Sequence, residues 1–498
     1  MIVNEPSLFS FSAMSFRRGM EDICDRPPEL QLDLLQAPRK LRRRGSRPHT
    51  CHELRRACFW QRQIWLDEPL PARLSNMRVR MVHIGHTLST VGSLGLFRTR
   101  DSSSSSRFND VASGNPVPMP ESYVKCEVPL MWWPLWGYNI GEYFQNSALG
   151  IAELVAAGVI DPTTVQLAPE VGGWPLRDFQ TGMLKAFTDL PVRTTGQLAP
   201  RCPAKGVVKR KTEKASKCPP PRCYERMLVC RFRDVYEYQP PIAPWSAARA
   251  IVRSLRLPPR LPPRLLPLSG EEASSPTRFS VVFASRGHTQ NGARLLTNEK
   301  GLIELCRRWI PPPACSRSVR GRGEGSVGRH AECEPWVFGR RGFRRDVDLV
   351  QEANVLVGTH GAALVHAIFM RRGSGLVEIR PYGFQGAWPD KYHLAMALRE
   401  NATHAFVLQT RDRSLCSPVP PANVSAWDAR PLNTFVQPNA FVRALAAVAC
   451  ARSSGSGSAS RALVEVPNPA ATAPFEYDVL RSVVIDNGLR PPPIPARI

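Results

Sequence analysis

The sequence predicts an α/β protein in which short buried strands alternate with helices. The clearest signal lies in the second half, where the apolar runs "SVVFA", "NVLVGT" and "GLVEIR" are strand-like and "NEKGLIELCRRW" is typical of an amphipathic helix. Strands and helices that alternate at this spacing favour a parallel, doubly wound sheet. In the first half, the helical "NSALGIAELVAA", the strand-like "TTVQLA" and the helical "LRDFQTGMLKAFTDL" indicate another α/β layer.

Length and composition fit a globular protein of two or three domains. The chain has 498 residues, of which 43% are hydrophobic and 22% are charged, so it can bury a sizeable core. Lys and Arg number 66 against 42 Asp and Glu, which leaves a net charge of +24. This excess favours anionic partners. Much of it, however, lies in segments that do not look folded, such as "RKLRRRGSRPHT", and a solvated basic tail explains it equally simply.

The cysteines and the amino terminus leave the cellular compartment open. Thirteen cysteines are dispersed without a CxxC pair, so we expect no metal site, while both reduced thiols and lumenal disulfides fit the pattern. The first residues contain no apolar core of the length that a signal peptide needs. The segment from Met77 to Phe97 is basic and then moderately apolar, but its His, Thr and Ser residues make it a poor membrane anchor.

Changes in composition predict five segments along the chain. The Arg clusters and "DSSSSSR" predict a disordered basic leader, and the stacked prolines of "LPPRLPPRLLPL" predict a linker or surface insertion between two α/β domains. The small and polar residues after the second domain predict a loose tail. The predicted segments are a leader at 1–115, a first domain at 116–255, a linker at 256–278, a second domain at 279–452 and a tail at 453–498.

Candidate ligand-binding residues follow two strands of the second domain. His360, Gly361 and Ala362 interrupt an apolar run between a strand and a helix. Ligands of parallel α/β sheets bind at such strand ends, where free helix N–H groups point outward. A histidine that only caps its own helix is the simpler alternative. Arg286 and Arg294 follow an earlier strand, and their planar side chains suit diphosphate oxygens.

Two further residues complete the predicted site, and two nearby residues are assigned structural roles. Asn298 lies just beyond Arg294, and Glu378 ends the strand "GLVEIR", where a carboxylate could accept hydrogen bonds from both hydroxyls of a ribose. His366 lies within the apolar "ALVHAIFM" and is expected to be a core histidine. Asp346 begins a DxD sequence, but the helix that follows favours an N-cap role over metal binding.

Several of these motifs, taken in order, resemble glycosyltransferase family 61. The resemblance rests on "FASRG" followed by Arg294 and "TNE", on "EANVLVGTHGAALVHAIFM", on "SGLVEIRP" and on "KYHLAMALREN". It covers about Phe279 to Gln409 well and the first domain weakly. It implies a B-type glycosyltransferase fold of two Rossmann-like domains, with a nucleotide sugar, expected to be UDP-linked, held mainly by the second. The implied reaction is an inverting, metal-independent transfer without a further cofactor, with Arg286, Arg294 and the His360–Ala362 turn stabilising the diphosphate and Glu378 holding the ribose.

The first domain departs from the family pattern at its first long helix. Where the family usually has an Asn, a Gly and a His followed by an acidic residue, this chain has "YNIGEYFQN", with Glu142 in place of the His and Asn146 in place of the acid. Glu142 could act as the general base for the acceptor hydroxyl. A solvated glutamate at a helix start is the alternative, and the change leaves both activity and acceptor choice in question.

Family members usually work in the Golgi or endoplasmic reticulum on a protein or glycan acceptor, which is the location and partner expected here. Sequons at Asn401 and Asn423 are compatible with a lumenal protein. No membrane anchor is evident and no nucleic-acid partner is expected. Two alternatives stay open at this point: an inactive family member that keeps the fold, and a basic nucleic-acid-binding protein.

Overall fold

The computed structural model describes two compact units, Met1–Ile242 and Ala243–Ile498. The described residues are 50–60, 63–66, 78–82, 88–92, 97–99, 108–109, 116–117, 122–134, 136–171, 174–198, 220–232, 244–257, 279–286, 294–310, 330–371, 374–384, 403–453 and 483–487. Residues 258–278 of the proline-rich linker predicted at 256–278 lie outside them, as do the sequon at Asn401 and most of the predicted leader and tail.

The first unit contains a mixed six-stranded sheet. Its strands stand in the order β5-β2-β1-β10-β8-β9, where β10 is parallel to β8 but antiparallel to β1. Two short hairpins, β3–β4 and β6–β7, lie outside this sheet. The strands are β1 (Thr50–Trp60), β2 (Gln63–Leu66), β3 (Arg78–Val82), β4 (Leu88–Gly92), β5 (Phe97–Thr99), β6 (Phe108–Asn109), β7 (Pro116–Val117), β8 (Val128–Trp132), β9 (Val165–Pro169) and β10 (Arg222–Arg231).

The helices of the first unit follow the central strands. The helical pattern predicted from Asn146 onward forms, but its first turn is a π-helix at Phe144–Ala148 that joins two α-helical pieces. The α-helices are α1 (Ile140–Tyr143), α2 (Leu149–Ala156), α3 (Asp178–Leu184) and α4 (Thr195–Leu198).

The prediction of a disordered leader at 1–115 is wrong for the strands β1 to β6, which lie within it. β1 pairs along nearly its whole length with β10, which lies more than 150 residues later in the chain. Leu54, Ala57 and Phe59 of β1 are buried in the core of this sheet. Disulfides join Cys51 to Cys230 and Cys58 to Cys223, directly opposite each other in the β1–β10 register. Arginines lie within and around β1, so the alternation of its apolar residues was not recognised as a strand pattern.

The second unit contains the parallel sheet that the sequence predicts. Its six strands stand in the order β12-β11-β13-β14-β15-β18, and every neighbouring pair is parallel. When only the six strands of this sheet are numbered along the chain, their order is 2-1-3-4-5-6, which is a doubly wound arrangement. The strands are β11 (Ser280–Ala284), β12 (Glu332–Trp336), β13 (Val355–Thr359), β14 (Ser374–Arg380), β15 (Thr403–Thr410) and β18 (Val483–Asn487), beside a hairpin of β16 (Cys416–Ser417) and β17 (Asn433–Thr434).

Helices of the second unit pack on this sheet around a core of Val, Leu and Phe side chains. A 3-10 helix at Ala362–Phe369 follows β13, and another at Arg413–Leu415 follows β15. The α-helices are α5 (Pro244–Ser254), α6 (Glu299–Arg308), α7 (Phe343–Glu352), α8 (Ala426–Ala429) and α9 (Pro438–Ser453). None of the described helices is both long and apolar enough to cross a membrane.

The predicted domain boundary and the predicted loose tail need correction. α5 belongs to the second unit, because the Arg249 side chain donates hydrogen bonds to the main-chain carbonyls of Phe369 and Met370. The boundary therefore precedes α5 instead of following it. Residues 483–487 of the predicted tail form the edge strand β18 beside β15. A strand this far beyond the rest of its sheet gives no local sequence signal. The prediction of a B-type arrangement of two Rossmann-like domains stays a prediction, and the first sheet is mixed instead of parallel.

Candidate functional site

The candidate site lies where the winding of the parallel sheet reverses. β11 pairs with β12 on one side and with β13 on the other. The chain leaves β11 toward β12 and leaves β13 toward β14, so the two connections diverge from the carboxyl ends of neighbouring strands. Ligands of open α/β sheets bind in the crevice that such a divergence creates. Arg286 follows β11, and the His360–Ala362 turn follows β13.

The structure brings Arg286 into direct contact with this turn. Its Nε donates to Thr359 Oγ1 at 3.3 Å, and its Nη2 donates to the main-chain oxygen of His360 at 3.2 Å. The side chain is therefore held across the gap between the two strand ends. Burial, together with the charge of Arg430, lowers the pKa of Arg286 to about 10. The guanidinium is still positively charged at neutral pH.

Arg294 reaches the same place through its main chain. Thr359 Oγ1 donates to the Arg294 carbonyl oxygen at 2.9 Å, and the Arg294 N–H donates to Pro431 O at 3.1 Å. Arg294 has a φ of 62°, in the left-handed region that non-glycine residues rarely adopt. Such strain persists only where surrounding contacts enforce it and is often found at functional sites.

Gly361 leaves the space that the two arginines occupy. A Cβ atom at this position would collide with Arg286 Nη2, and it would lie 3.2 Å from Arg286 Cζ and 3.7 Å from Arg294 Nη1. The glycine backbone is extended, with a φ of 168°, so space and not conformation requires the glycine. Gly358, which lies three residues earlier within β13, similarly lets Ala284 and Leu364 approach this strand. Ala362 begins the 3-10 helix and is half-buried.

His360 and Glu378 form a buried hydrogen-bonded pair below the turn. His360 Nδ1 lies 2.6 Å from Glu378 Oε1, and both side chains are almost fully buried. Burial lowers the pKa of His360, and Arg380 and Arg294 lower it further, against the opposing effect of Glu378. The ring is therefore neutral near pH 7, and its Nδ1–H donates to the carboxylate. This geometry leaves the helix-cap alternative for His360 without support.

Glu378, the predicted ribose contact, is bonded to protein side chains in this structure. Arg380 donates to Glu378 Oε1 from Nε at 3.0 Å and to Oε2 from Nη2 at 3.2 Å. With the bond from His360, three of about four acceptor positions of the carboxylate are filled, and the side chain has no exposed surface. Burial raises the pKa of Glu378, but Arg380 and His360 outweigh it, so the pKa is below its ordinary value. Glu378 is an anion that orients His360 and Arg380.

Asn298 is also placed differently from the prediction. Its Nδ2 donates to Val436 O at 2.8 Å, and its Oδ1 accepts from Val436 N at 3.1 Å. The amide therefore makes two hydrogen bonds with the main chain of Val436, in the segment after β17. These bonds hold the start of α6 against that segment, and the predicted donor contact of Asn298 stays a prediction.

Glu142 lies in the first unit, at the start of the α1 helix. The N-cap residue Asn139 accepts hydrogen bonds from the Gly141 and Glu142 N–H groups. Asn146 Nδ2 donates to Glu142 Oε2 at 2.9 Å from one helical turn further on. Asn146 belongs to the π-helix, and single π-helical turns within α-helices are frequent at functional sites. The carboxylate is half-exposed and is oriented by a neutral amide.

The DxD sequence has a structural role that differs from the predicted N-cap. α7 begins at Phe343 with Gly342 as its N-cap, and Asp346 lies buried inside the first turn. Asp346 accepts from Trp336 Nε1 at 2.8 Å and from Gly339 N at 2.7 Å. His366 is buried in the same core, as predicted, and stacks on Phe338. Within the described ranges, no group of three or more His, Cys, Asp or Glu side chains is placed to hold a metal ion.

Sequence reasoning missed three residues that the structure places at the site. Thr359 bonds both arginines through one hydroxyl, Arg380 holds Glu378, and Arg430 lies close enough to act on the charge of Arg286. A signal for Arg380 was present, because residues two apart on a strand share a face and "EIR" therefore places Arg380 beside Glu378. No local pattern pointed to Arg430.

One comparison with known proteins covers the part of the chain that contains the candidate site. The family model described as Glycosyltransferase 61 matches residues 203–377. That stretch contains Arg286, Arg294 and the His360–Ala362 turn, while Glu142 and Arg430 lie outside it. Among curated proteins, no sequence matches the chain. The matched stretch contains the switch point of the parallel sheet together with the arginines held there. Residues 203–377, about a third of the chain, are therefore similar to glycosyltransferase family 61.

Proposed function

We propose that the protein transfers a sugar from a UDP-linked donor to a hydroxyl group of a protein or glycan, with inversion and without a metal ion. The observation that carries the proposal is the pair of arginines held against Gly361 at the switch point of the parallel sheet. A diphosphate bound there would be a leaving group with no metal to balance its charge. Two guanidinium groups supply that charge.

The proposed reaction is a single displacement at the anomeric carbon. The acceptor oxygen attacks this carbon, and its bond to the diphosphate oxygen breaks. The electron pair of that bond goes to the diphosphate, where Arg286 and Arg294 stabilise the negative charge. The proton of the acceptor hydroxyl goes to a carboxylate base. Inversion follows because attack and departure occur on opposite faces of the sugar.

Glu142 is the proposed base. Its carboxylate accepts a hydrogen bond from Asn146 Nδ2, which orients the side chain. The side chain is half-exposed, and a carboxylate can accept a proton from a positioned hydroxyl. The pair occupies the positions where the family pattern has a histidine and an acid.

A lumenal location in the endoplasmic reticulum or Golgi is part of the proposal. Three disulfides support it: Cys51–Cys230, Cys58–Cys223 and Cys306–Cys333. Disulfides form and persist in oxidising compartments and are rare in the cytosol. The Cys51–Cys230 and Cys58–Cys223 bonds hold β1 in its sheet, so oxidation would accompany correct folding.

The donor step is tested by isothermal titration calorimetry with UDP. The wild-type chain is expected to bind UDP in the presence of EDTA, and Arg294→Gln is expected to weaken binding by ~10-fold or more, since a charge-assisted contact contributes roughly 1.5–3 kcal/mol. Arg308→Gln is the matched control, because Arg308 is an exposed arginine at the end of α6. An Arg294→Gln variant that bound UDP as tightly as the wild type would refute the assignment.

The chemical step is tested with a panel of UDP-sugars and the anomeric configuration of the product by NMR. Glu142→Gln keeps the size of the side chain and removes its basicity, so turnover is expected to fall by ~100-fold or more while UDP binding is unchanged. Asn146→Ala is expected to reduce turnover less, because it removes only the orienting hydrogen bond. Turnover that survived Glu142→Gln would assign the base elsewhere.

A further inference from the structure

The short helix α8 carries an aromatic and a cationic side chain that the proposed reaction has not yet used. Trp427 is 62% exposed, which is unusual for so large an apolar side chain. The Arg430 guanidinium carbon lies 5.4 Å from the centre of the Trp427 ring, in cation–π distance. Both residues lie beyond the stretch 203–377 that matches the family model.

Two contacts fix α8 beside the switch point of the parallel sheet. Ala429 and Leu432 pack with Phe384 in one buried cluster, and the Phe384 ring lies 4.5 Å from the His360 ring between centres. On the other side, Pro431 O accepts the hydrogen bond from Arg294 N at 3.1 Å. The residue next to Arg430 is thus bound directly to one arginine of the site.

The same segment is held to the Arg294 loop along several residues. Leu295 N donates to Asn433 Oδ1 at 2.8 Å, and Thr434 N donates to Leu295 O at 2.8 Å. Thr297 N continues the pairing with a bond of 3.0 Å to Thr434 O. The peptide that carries Arg430 therefore cannot move away from Arg294 without breaking a run of main-chain bonds.

Two positive charges lie close together at this place. The charge of Arg430 acts on Arg286, and both side chains are only half exposed. Like charges held close together repel one another, and a bound anion with several negative oxygens relieves that repulsion.

We propose that Arg430 is a third donor-binding arginine, which contacts the second phosphate of the nucleotide sugar, and that Trp427 positions its guanidinium. The inference rests on the proposed function and adds to it the residue that recognises a diphosphate rather than a single phosphate. Arg286 and Arg294 lie at Gly361 itself, whereas Arg430 approaches from α8. A phosphate between them would meet planar donors from both sides.

The test compares UDP with UMP, which differ by one phosphate, in calorimetric titrations of the full chain. In the wild type the second phosphate is expected to strengthen binding. Arg430→Gln is expected to lower UDP affinity by ~10-fold or more and UMP affinity much less, since a charge-assisted hydrogen bond is lost only with UDP. Arg413→Gln removes an exposed arginine from the neighbouring 3-10 helix and is expected to leave both affinities unchanged.

Trp427 is tested in the same titrations. Trp427→Ala is expected to reduce the preference for UDP over UMP partly, and Trp427→Phe is expected to restore it, since a phenyl ring can also face a guanidinium. If Arg430→Gln does not fold, as judged by thermal melting, Arg430→Lys keeps the charge. It is expected to give an intermediate preference, because an ammonium lacks the planar fork.

The outcomes separate this inference from the proposed function. A wild type that binds UDP, with an unchanged UDP-to-UMP ratio in Arg430→Gln, overturns the role of Arg430 and leaves the donor site standing. Equal losses of UDP and UMP affinity also overturn it, because the residue would then support the site as a whole. A wild type that binds neither nucleotide refutes the proposed function as well.

Discussion

Gly361 connects the geometry of a single residue to ligand binding. The Arg286 guanidinium occupies the space where a side chain of residue 361 would lie, and from there it bonds Thr359 and His360. The extended backbone of Gly361 is available to any residue. A side chain at position 361 would therefore displace Arg286 without straining the backbone. Such a substitution is expected to change ligand binding more than the stability of the fold.

We expect Gly361→Ala to displace Arg286 and to weaken UDP binding by ~10-fold or more, since one charge-assisted contact is lost. The melting temperature is expected to change little. Gly301→Ala is the matched control, because nothing lies within 4 Å of an added Cβ at this helical position. It is expected to raise stability by about 0.5–1 kcal/mol and to leave UDP binding unchanged. Unaltered UDP binding in Gly361→Ala would contradict the packing described.

His366 gives the folded state a dependence on pH. It is buried, and its Nδ1 lies 2.8 Å from Ala363 O, with Asp346 Oδ2 at 3.9 Å from Nε2. Burial lowers the pKa of His366 from 6.5 to about 4. The unfolded chain therefore binds a proton at a higher pH than the folded chain does. Stability is fully present above pH 6.5 and is lost as the pH falls toward 4.

Urea unfolding at pH 7 and pH 5 measures this effect. A pKa difference of this size contributes at most about 3 kcal/mol, and roughly half of that is lost by pH 5. His366→Asn retains a donor for Ala363 O and removes the titration, so its stability is expected to be lower at pH 7 but to vary less with pH. His330→Asn alters an exposed histidine and is expected to keep the wild-type pH dependence. An identical pH dependence in His366→Asn and the wild type would exclude His366 as its source.

At the scale of elements, the parts that were predictable are those whose signals are local. β11, β13 and β14 are short apolar runs in the printed sequence, and their parallel order follows from the helices between them. The turn at His360 and the arginine after β11 lie at strand ends, where the sequence places them, and their contact with a ligand stays a prediction. Glu378 lies in the predicted strand β14, but its bonds with Arg380 were overlooked.

Elements whose partners are distant in sequence were not predictable in this way. β1 lies among arginines and acquires its role from β10, and β18 lies beyond a long stretch of small and polar residues. Arg430 belongs to the site only because Pro431 to Val436 pair with the residues from Arg294 to Asn298. No local pattern in the sequence indicates which of these distant segments pair with each other. Tertiary contacts decide these pairings.

The docking of α5 shows how an element outside the sheet supports the site. Arg249 donates to the carbonyls of Phe369 and Met370, which end the 3-10 helix that begins at the His360 turn. Arg249→Met is expected to destabilise the second unit by about 1–3 kcal/mol, because buried carbonyls lose a charged donor. Arg253→Met, on the exposed face of the same helix, is expected to have little effect. Chemical unfolding compares the two variants, and equal stabilities would rule out the docking contact.

At the scale of the whole molecule, the two units have separable tasks. All three arginines of the proposed donor site belong to the second unit, while Glu142 and the two β1–β10 disulfides belong to the first. Loss of a disulfide in the first unit should therefore affect its own stability without altering the donor site. A donor-binding measurement and an unfolding measurement on the same variant test this separation.

We expect Cys58→Ser combined with Cys223→Ser to destabilise the first unit by about 2–5 kcal/mol, because the bond closes a long loop in the unfolded chain. The bond spans 165 residues. UDP affinity is expected to be unchanged, since these cysteines and the arginines of the donor site belong to different units. Unfolding is compared with and without reductant, and the difference from the wild type should vanish once the wild-type disulfides are also reduced. A loss of UDP affinity in a variant that is still folded would show that donor binding depends on the first unit as well.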